Sequence, residues 1–96
     1  MCVNVMQDVA VIQTPAGELS HADARRIFDQ AVRETARMVV IDLKRVQDAT
    51  TAAFATLVLL RRTLLRTGRD LVLIGLHDRA AQLFGINRLE AVLPCG

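Results

Sequence analysis

The chain has 96 residues, with 12 lysines and arginines against 10 aspartates and glutamates. That length fits one small domain, and the net charge of +2 is too low for a protein that binds nucleic acid or anionic membrane through a basic patch. The hydrophobic fraction of 52% is high for a free-standing domain, so we expect part of the surface to meet a partner. The longest uncharged run, residues 49–60, is shorter than the ~20 apolar residues that a transmembrane helix needs.

The two ends of the sequence carry the cysteines, Cys2 and Cys95. No Cys-x-x-Cys motif accompanies them, so free thiols in a reducing compartment are expected. The N-terminus lacks a basic region followed by an apolar stretch and a cleavage site, which favours a cytoplasmic location. We expect a single domain over residues 1–96, with fraying at residues 1–2 and 94–96.

Short strands and an amphipathic helix are predicted for the first third of the chain. Residues 3–14 are rich in β-branched residues, which indicates one or two strands, and Pro-Ala-Gly at residues 15–17 ends them. Ser20 and Asp23 have the spacing of a capping box, in which each side chain binds the other residue's backbone N–H. The helix that follows places its apolar residues on one face: Ala24, Ile27, Phe28, Ala31 and Val32.

A strand, a long helix and another strand are predicted for the middle of the chain. Residues 37–43 are almost continuously apolar, as in a central strand that is buried on both faces. Residues 44–48 are interpreted as a polar connection in which Val46 points inward. Helical periodicity covers residues 51–66, and residues 70–75 predict another buried strand.

The long helix carries two apolar stripes and one isolated leucine. The first stripe, which we expect to face the sheet, consists of Ala53, Leu57, Leu60 and Leu64. The second stripe exceeds what a sheet covers and consists of Phe54, Val58 and Leu65. Leu59 falls on the remaining side, where burial in the core of the domain is not expected.

The last part of the chain predicts a short third helix, from His77 to a stop at Gly85, and a closing segment over residues 86–93. Strands come early in the sequence and are followed by strand, helix, strand and helix. This order is typical of an α/β sandwich with a mixed sheet.

Four stretches carry a resemblance to a known family. They are residues 17–19 (Gly-Glu-Leu), residues 39–43 (Val-Val-Ile-Asp-Leu), the helix exit into a strand at residues 66–73, and the closing helix with its loop at residues 78–89. In this order and spacing they resemble the STAS domain, the fold of bacterial anti-sigma-factor antagonists and of the cytoplasmic tails of sulfate transporters. The resemblance implies a mixed sheet of about four to five strands, with three main helices packed mostly on one side.

The turn before the long helix resembles the family's regulatory signature in altered form. The family pattern Asp-Ser-Ser-Gly-Leu aligns with residues 50–54, Thr-Thr-Ala-Ala-Phe. The resemblance places Thr51 at the phosphorylatable serine and Thr50 at the aspartate. A second register, which starts at Asp48, would put Ala49 at the phosphoacceptor position but needs a gap later in the alignment.

The hydroxyl groups at this helix start have two possible uses. Thr50 or Thr51 can simply cap the helix, which contributes ~1 kcal/mol, or Thr51 can accept a phosphoryl group beside the free amides of the first turn. Phosphorylation would replace a flat surface of small residues with charge and bulk, and would release a bound partner. The predicted partner-binding residues are Asp48, Ala49, Thr50, Thr51, Ala52, Ala55, Leu59 and Arg62.

Two functions follow from the resemblance. The first is a partner-switching regulator similar to anti-sigma-factor antagonists, which binds an anti-sigma factor with serine/threonine kinase activity. The second is a constitutive accessory subunit similar to the STAS subunit of bacterial lipid-transport ABC systems, which contacts the ATPase subunit and whose turn can carry Thr-Ala, as Thr51 and Ala52 do. A third hypothesis is a homodimer formed through excess apolar surface, which Leu59→Asp would weaken without unfolding the chain.

The sequence offers no support for an enzyme, a metal site or a bound cofactor. His21 lies in a helix cap and His77 at a helix start, and neither has a nucleophile or carboxylate at a catalytic spacing. No glycine-rich phosphate loop is present. Four arginines on and after the long helix are interpreted as a solvated face: Arg61, Arg62, Arg66 and Arg69.

Overall fold

The computed structural model describes residues 8–96. In chain order, its strands and helices are β1 (Val9–Gln13), β2 (Gly17–Leu19), α1 (His21–Arg33), β3 (Met38–Asp42), β4 (Val46–Ala49), α2 (Thr51–Leu65), β5 (Asp70–Ile74) and α3 (Asp78–Ile86). A short 3₁₀ helix, Leu89–Ala91, follows α3. The predicted α/β class, with about five strands and three main helices, is confirmed. The predictions for residues 1–7, which include a first strand and the Cys2 thiol, lie outside the described residues.

The central sheet has three strands in the order β1-β3-β5, and both strand pairs are parallel. A helix lies between the members of each pair along the chain, and a crossover of this kind returns the second strand in the same direction as the first. β2 and β4 pair separately, also in parallel. Within residues 8–96, the expected sheet is therefore divided into two parallel sheets.

Side-chain burial in the central sheet follows the period of two that a β-strand imposes. Val39 and Ile41 of β3 are fully buried, whereas Met38 and Val40, which point to the opposite face, are only half-buried. On the edge strand β1, Val11 is 56% exposed. The prediction that the central strand is buried on both faces is wrong in this respect, because only one face of the sheet packs fully against the core.

The polar segment before α2 forms strand β4 and not the connection that the sequence predicts. β4 pairs with β2, so that Leu19 lies opposite Ala49. Val46 is fully buried, in agreement with its predicted inward orientation. The polar residues Gln47 and Asp48 have low strand propensity, but the pairing with β2 satisfies the backbone of this segment and overrides that preference.

The capping box at the start of α1 is confirmed. Ser20 Oγ accepts a hydrogen bond from the Asp23 backbone N–H at 3.1 Å, and Asp23 Oδ2 accepts one from the Ser20 backbone N–H at 3.1 Å. α1 packs against α2 and buries Ala24, Ile27 and Ala31. The predicted apolar face meets the core through these three residues, whereas Phe28 is half-buried and Val32 is 40% exposed.

α2 carries apolar residues on both its buried and its exposed sides. The first predicted stripe is buried throughout: Ala53, Leu57, Leu60 and Leu64. In the second stripe, Phe54 is buried and packs edge-on against Phe84 of α3, with ring centroids 5.7 Å apart, whereas Leu65 is 49% exposed. Leu59 is 57% exposed, as predicted. Among the described residues, no helix is long and apolar enough to cross a membrane.

Arg61 joins three parts of the chain. Its Nε and Nη2 donate to the two carboxylate oxygens of Asp70 at 2.8 and 3.3 Å, and its Nη1 donates to the Val92 carbonyl at 3.1 Å. Burial of the Asp70 carboxyl opposes ionisation, but hydrogen bonds from Arg61 and from the Leu71 backbone N–H outweigh it and hold the pKa of Asp70 below its ordinary value. Arg61 therefore has a structural role, and its assignment to a solvated face is wrong.

Arg69 has a structural role as well. Its Nε donates to the carbonyl of Ala36 at 2.7 Å and its Nη2 donates to the carbonyl of Ala31 at 2.9 Å. These bonds place a positive charge at the C-terminal end of α1, where a helix dipole favours a cation. The interpretation as a solvated face holds for the other two arginines, Arg62 and Arg66, which are exposed.

The loop after β5 approaches the turn after β3 so closely that only glycine fits at position 75. Gly75 has a φ of +77°, and a Cβ built there would lie 2.9 Å from the backbone nitrogen of Lys44. Nearby, the Leu43 N–H donates to the Ile74 carbonyl at 2.8 Å, and His77 Nε2 lies 2.7 Å from the Lys44 carbonyl oxygen. These contacts hold the turn that leads into β4 and then into α2.

Residues 94–96 lie along β5, although the sequence predicts that these residues fray. The Leu73 N–H donates to the Pro94 carbonyl at 2.9 Å, and the Gly96 N–H donates to the Leu73 carbonyl at 2.8 Å. A strand at the edge of a sheet offers unpaired backbone groups of this kind, and the chain end satisfies some of them. Cys95, between the two, is an exposed free thiol.

Candidate functional site

The start of α2 places two neighbouring threonines in different environments. Thr50 is the N-cap, with an extended backbone, and its Oγ1 accepts a hydrogen bond from the Ala53 N–H at 3.1 Å. The Thr50 N–H in turn donates to the Leu19 carbonyl at 3.2 Å. Thr51 is the first residue of the helix and is exposed, and its hydroxyl has no hydrogen-bond partner among the described residues. Capping therefore belongs to Thr50, while Thr51 is exposed and does not cap the helix.

The electrostatic environment of this helix end favours negative charge. The first turn of α2 contains no acidic residue, and the amides of Thr51 and Ala52 have no acceptor inside the helix. The helix dipole adds partial positive charge at the same end. The nearest preceding carboxylate, Asp48, is half-buried, and its Oδ1 accepts a hydrogen bond from the Ala49 N–H at 2.8 Å.

The eight predicted partner-binding residues differ in how much surface they offer. Five of them are exposed: Thr51, Ala52, Ala55, Leu59 and Arg62. These five share one side of α2, because their spacing keeps them within the half of the helix that faces away from the core. Asp48 and Thr50 are half-buried, and Ala49 retains only 7% exposure. The structure thus gives Ala49 little surface with which to contact a partner.

A cleft beside Thr51 has a second wall that the sequence did not predict. The cleft has a volume of about 340 Å³ and lies between the first half of α2 and the segment after α3. Its lining residues are Thr51, Phe54, Ala55, Val58, Asn87, Leu89 and Val92. Val92 in this lining is 41% exposed, whereas the 78% exposed Ile86 lines a different depression, with Asp48 and Ala49. The sequence carried no signal for the cleft, because its two walls come from separate parts of the chain.

A second depression, of about 620 Å³, lies between β4 and the start of α3 and is polar. It is lined by Gln47, Asp48, Asp78, Arg79 and Gln82. Carboxylates, an arginine and amides are mixed in this lining, as on an ordinary solvated surface. Within residues 8–96 there is no group of three or more His, Cys, Asp or Glu side chains with the geometry to hold a metal ion.

Known structures share this arrangement of strands and helices. A candidate anti-sigma factor antagonist from Thermotoga maritima superposes with a TM-score of 0.76 at 14% sequence identity, over 92% of this chain and 78% of that chain. A sulfate transporter family protein from Wolinella succinogenes superposes with a TM-score of 0.70 at 20% identity, over 88% of this chain and 71% of that chain. At these identities the likeness establishes the fold alone.

The sequence itself also matches a family. No curated protein matches the chain at a significant level. The family model described as the STAS domain, in contrast, matches residues 3–95. That match includes nearly the whole sequence, and it agrees with the resemblance seen in the strand motifs and at the start of α2. The chain therefore belongs to the STAS domain family.

Proposed function

We propose that this protein is a partner-switching regulator of the anti-sigma-factor-antagonist type, a cytoplasmic interaction module without catalytic activity of its own. Its partner in this proposal is an anti-sigma factor with serine/threonine kinase activity. The observation that carries the proposal is the pair of threonines at the start of α2, because Thr50 caps the helix and leaves Thr51 exposed. The fold shared with the candidate antagonist from Thermotoga maritima supports it.

The docking end, which we define as the five exposed residues Thr51, Ala52, Ala55, Leu59 and Arg62, is the surface that the partner contacts. Its three residues nearest the helix start are small, so a partner can approach the backbone of the first turn closely. Leu59 is an isolated exposed leucine one turn further along, and it adds apolar area to the contact. Arg62 adds a charge that can pair with a carboxylate of the partner.

Thr51 is the residue that a partner kinase would modify. In this step, Thr51 Oγ1 attacks the γ-phosphorus of ATP bound to the kinase, the bond to the leaving ADP breaks, and the hydroxyl proton passes to a base of the kinase. The product carries nearly two negative charges beside the free amides of α2, where the helix dipole tolerates them. The same charges would lie in the contact with the partner and would weaken it.

The proposal is tested first by phosphorylation. The protein is incubated with ATP and a kinase-type anti-sigma factor from the same organism, and phosphothreonine is located by mass spectrometry. We expect modification of Thr51 that Thr51→Ala abolishes. Thr35→Ala, at another exposed threonine, is the matched control and should leave the modification intact. Absence of phosphothreonine at residue 51 would remove the switch from the proposal.

Partner binding is tested separately. We expect Thr51→Glu and Leu59→Asp each to weaken binding of the kinase by at least roughly tenfold, while circular dichroism shows an unchanged fold. Co-purification from cell extracts is the decisive measurement, because a histidine-kinase-like ATPase supports the proposal. Recovery of a transporter ATPase subunit in its place would overturn it and favour the accessory-subunit hypothesis.

A further inference from the structure

The cleft beside Thr51 continues along α2 as a longer groove. Its upper part, of about 340 Å³, reaches from Thr51 to Val58, and a lower part of about 290 Å³ reaches as far as Leu65. The two parts share Val58 and Val92 in their linings, so they form one continuous depression. We call it the α2 groove; its second wall is the segment over residues 87–92.

The dimensions of the α2 groove match those of a helix. Its α2 wall spans the 15 residues of Thr51–Leu65, which at 1.5 Å per residue is about 22 Å, or roughly four helical turns. Most of the lining is apolar: Phe54, Ala55, Val58, Leu65, Leu89, Ala91 and Val92. An elongated apolar groove of this length receives apolar side chains at positions i, i+3 or i+4, and i+7 of a bound helix.

The charges that line the groove indicate which side chains should flank the apolar side chains of a bound helix. No acidic residue lines either part. Arg61 in the lower part is neutralised by Asp70, which lies 2.8 Å from its Nε. Arg62 also lines the lower part, is exposed, and forms no ion pair within residues 8–96. The groove therefore carries one uncompensated positive charge, at the end far from Thr51.

The groove is also held in shape before any partner arrives. Arg61 Nη1 donates to the Val92 carbonyl at 3.1 Å, which fastens the second wall to α2. Leu93, directly after that wall, is fully buried. A preformed site loses less conformational freedom on binding than a mobile one.

We propose that the α2 groove binds an amphipathic helix of a protein partner, whose apolar ridge fills the groove and whose carboxylate side chains pair with Arg62. The proposal rests on the proposed function, because that helix belongs to the partner that meets Thr51. A second copy of this chain fits less well, since its α2 helix, Thr51–Leu65, contains no carboxylate that could pair with Arg62.

A synthetic peptide tests the chemistry without knowledge of the partner. The probe is a helical peptide of about 15 residues with leucines at i, i+3, i+4 and i+7, flanking glutamates and one tryptophan. Because the protein contains no Trp or Tyr, the tryptophan fluorescence reports on the peptide alone. We expect saturable binding, at least roughly tenfold weaker for a peptide with lysine in place of glutamate. Equal binding of both peptides, or of a version with the leucines spread around the helix, overturns the proposal.

Three variants locate the binding. Val58→Asp, inside the groove, should abolish peptide binding, whereas Val32→Asp, at an exposed valine of α1 outside the lining, should leave it unchanged. Arg62→Glu should weaken binding of the glutamate peptide and strengthen that of the lysine peptide, and it keeps the test decisive if Val58→Asp fails to fold. An effect of Val32→Asp without one of Arg62→Glu would overturn the proposal.

The two proposals fail in different ways. If Thr51 is phosphorylated and the kinase binds, but no peptide occupies the groove, the proposed function stands and the helix-in-groove inference falls. If the peptide binds but Thr51 is never modified, the groove inference stands and the switch falls. Sedimentation analysis of the wild-type protein covers the remaining occupant, because a dimer that the peptide dissociates would show that a second copy fills the groove.

Discussion

The two sides of α2 are similar in composition and opposite in use. The inner side carries Ala53, Leu57, Leu60 and Leu64, and all four are buried. The outer side also carries alanines and a leucine, but Ala52, Ala55 and Leu59 are exposed. Since the inner side already fills the core, the apolar residues outside are not needed for folding. In this small domain, the apolar residues beyond those that the core needs therefore lie on the exposed side of its central helix.

Shortening one leucine on each side of α2 should affect the free energy of unfolding very differently. Leu57→Ala removes fully buried atoms and should lower the free energy of unfolding by ~2–5 kcal/mol. Leu59→Ala removes exposed atoms and should change it by less than ~0.5 kcal/mol. Urea denaturation followed by circular dichroism measures both. Similar losses in the two variants would mean that the outer side belongs to the core.

Two adjacent arginines of α2 should also differ in how much they contribute to stability. Arg61→Met removes the bonds to Asp70 and to the Val92 carbonyl and should cost ~1–3 kcal/mol of unfolding free energy. Arg62→Met, at an exposed residue without an ion pair in the described part of the chain, should cost less than ~0.5 kcal/mol. The midpoint of chemical denaturation distinguishes them, and an equal effect would contradict the structural role of Arg61.

The two threonines at the helix start provide the third test. Thr50→Ala removes the cap on the Ala53 N–H and should lower the free energy of unfolding by ~1 kcal/mol. Thr51→Ala should be nearly neutral, because its hydroxyl caps nothing. Thermal unfolding compares the variants at equal concentration. A larger loss for Thr51→Ala would show that the capping role lies with that residue.

The smallest expected effect is a dependence of stability on pH. The pKa of Asp70 is lower in the folded than in the unfolded protein, so its stabilisation is fully present above the unfolded value of about 3.9 and is lost as pH falls through the folded value. Asp70→Asn should remove this component of the acid loss. Denaturation midpoints between pH 6 and pH 2, measured for both proteins on the same scale, test it; identical pH profiles would contradict it.

Features that depend on spacing inside one element could be predicted from the sequence. The Ser20–Asp23 capping box and the buried stripe of α2 are examples, since each follows from the geometry of a single helix. Strand β4 could not be predicted in this way, because its residues are polar and its pairing partner β2 lies far away in the sequence. The same holds for Arg69, whose acceptor Ala31 is 38 residues away.

The candidate site also contains features that could be predicted from the sequence and features that could not. The position of Thr51 at the helix start and the exposure of Leu59 followed from helical periodicity, whereas the alignment of Thr51 with the phosphorylatable serine came from the family resemblance. The assignment of capping to Thr50 needed the actual backbone geometry, since either threonine could have served. The α2 groove needed the fold, because its two walls come from separate parts of the chain, with β5 and α3 between them.

The close approach at Gly75 has a consequence for which substitutions this domain tolerates. A side chain at that position would have to push away the backbone at Lys44, and β4 and the Thr50 cap follow directly from that turn. Residue 75 thus affects the geometry at the start of α2, although it contributes no atom to that surface. Substitutions on the exposed side of α2 leave this turn untouched, whereas a side chain at residue 75 would disturb it.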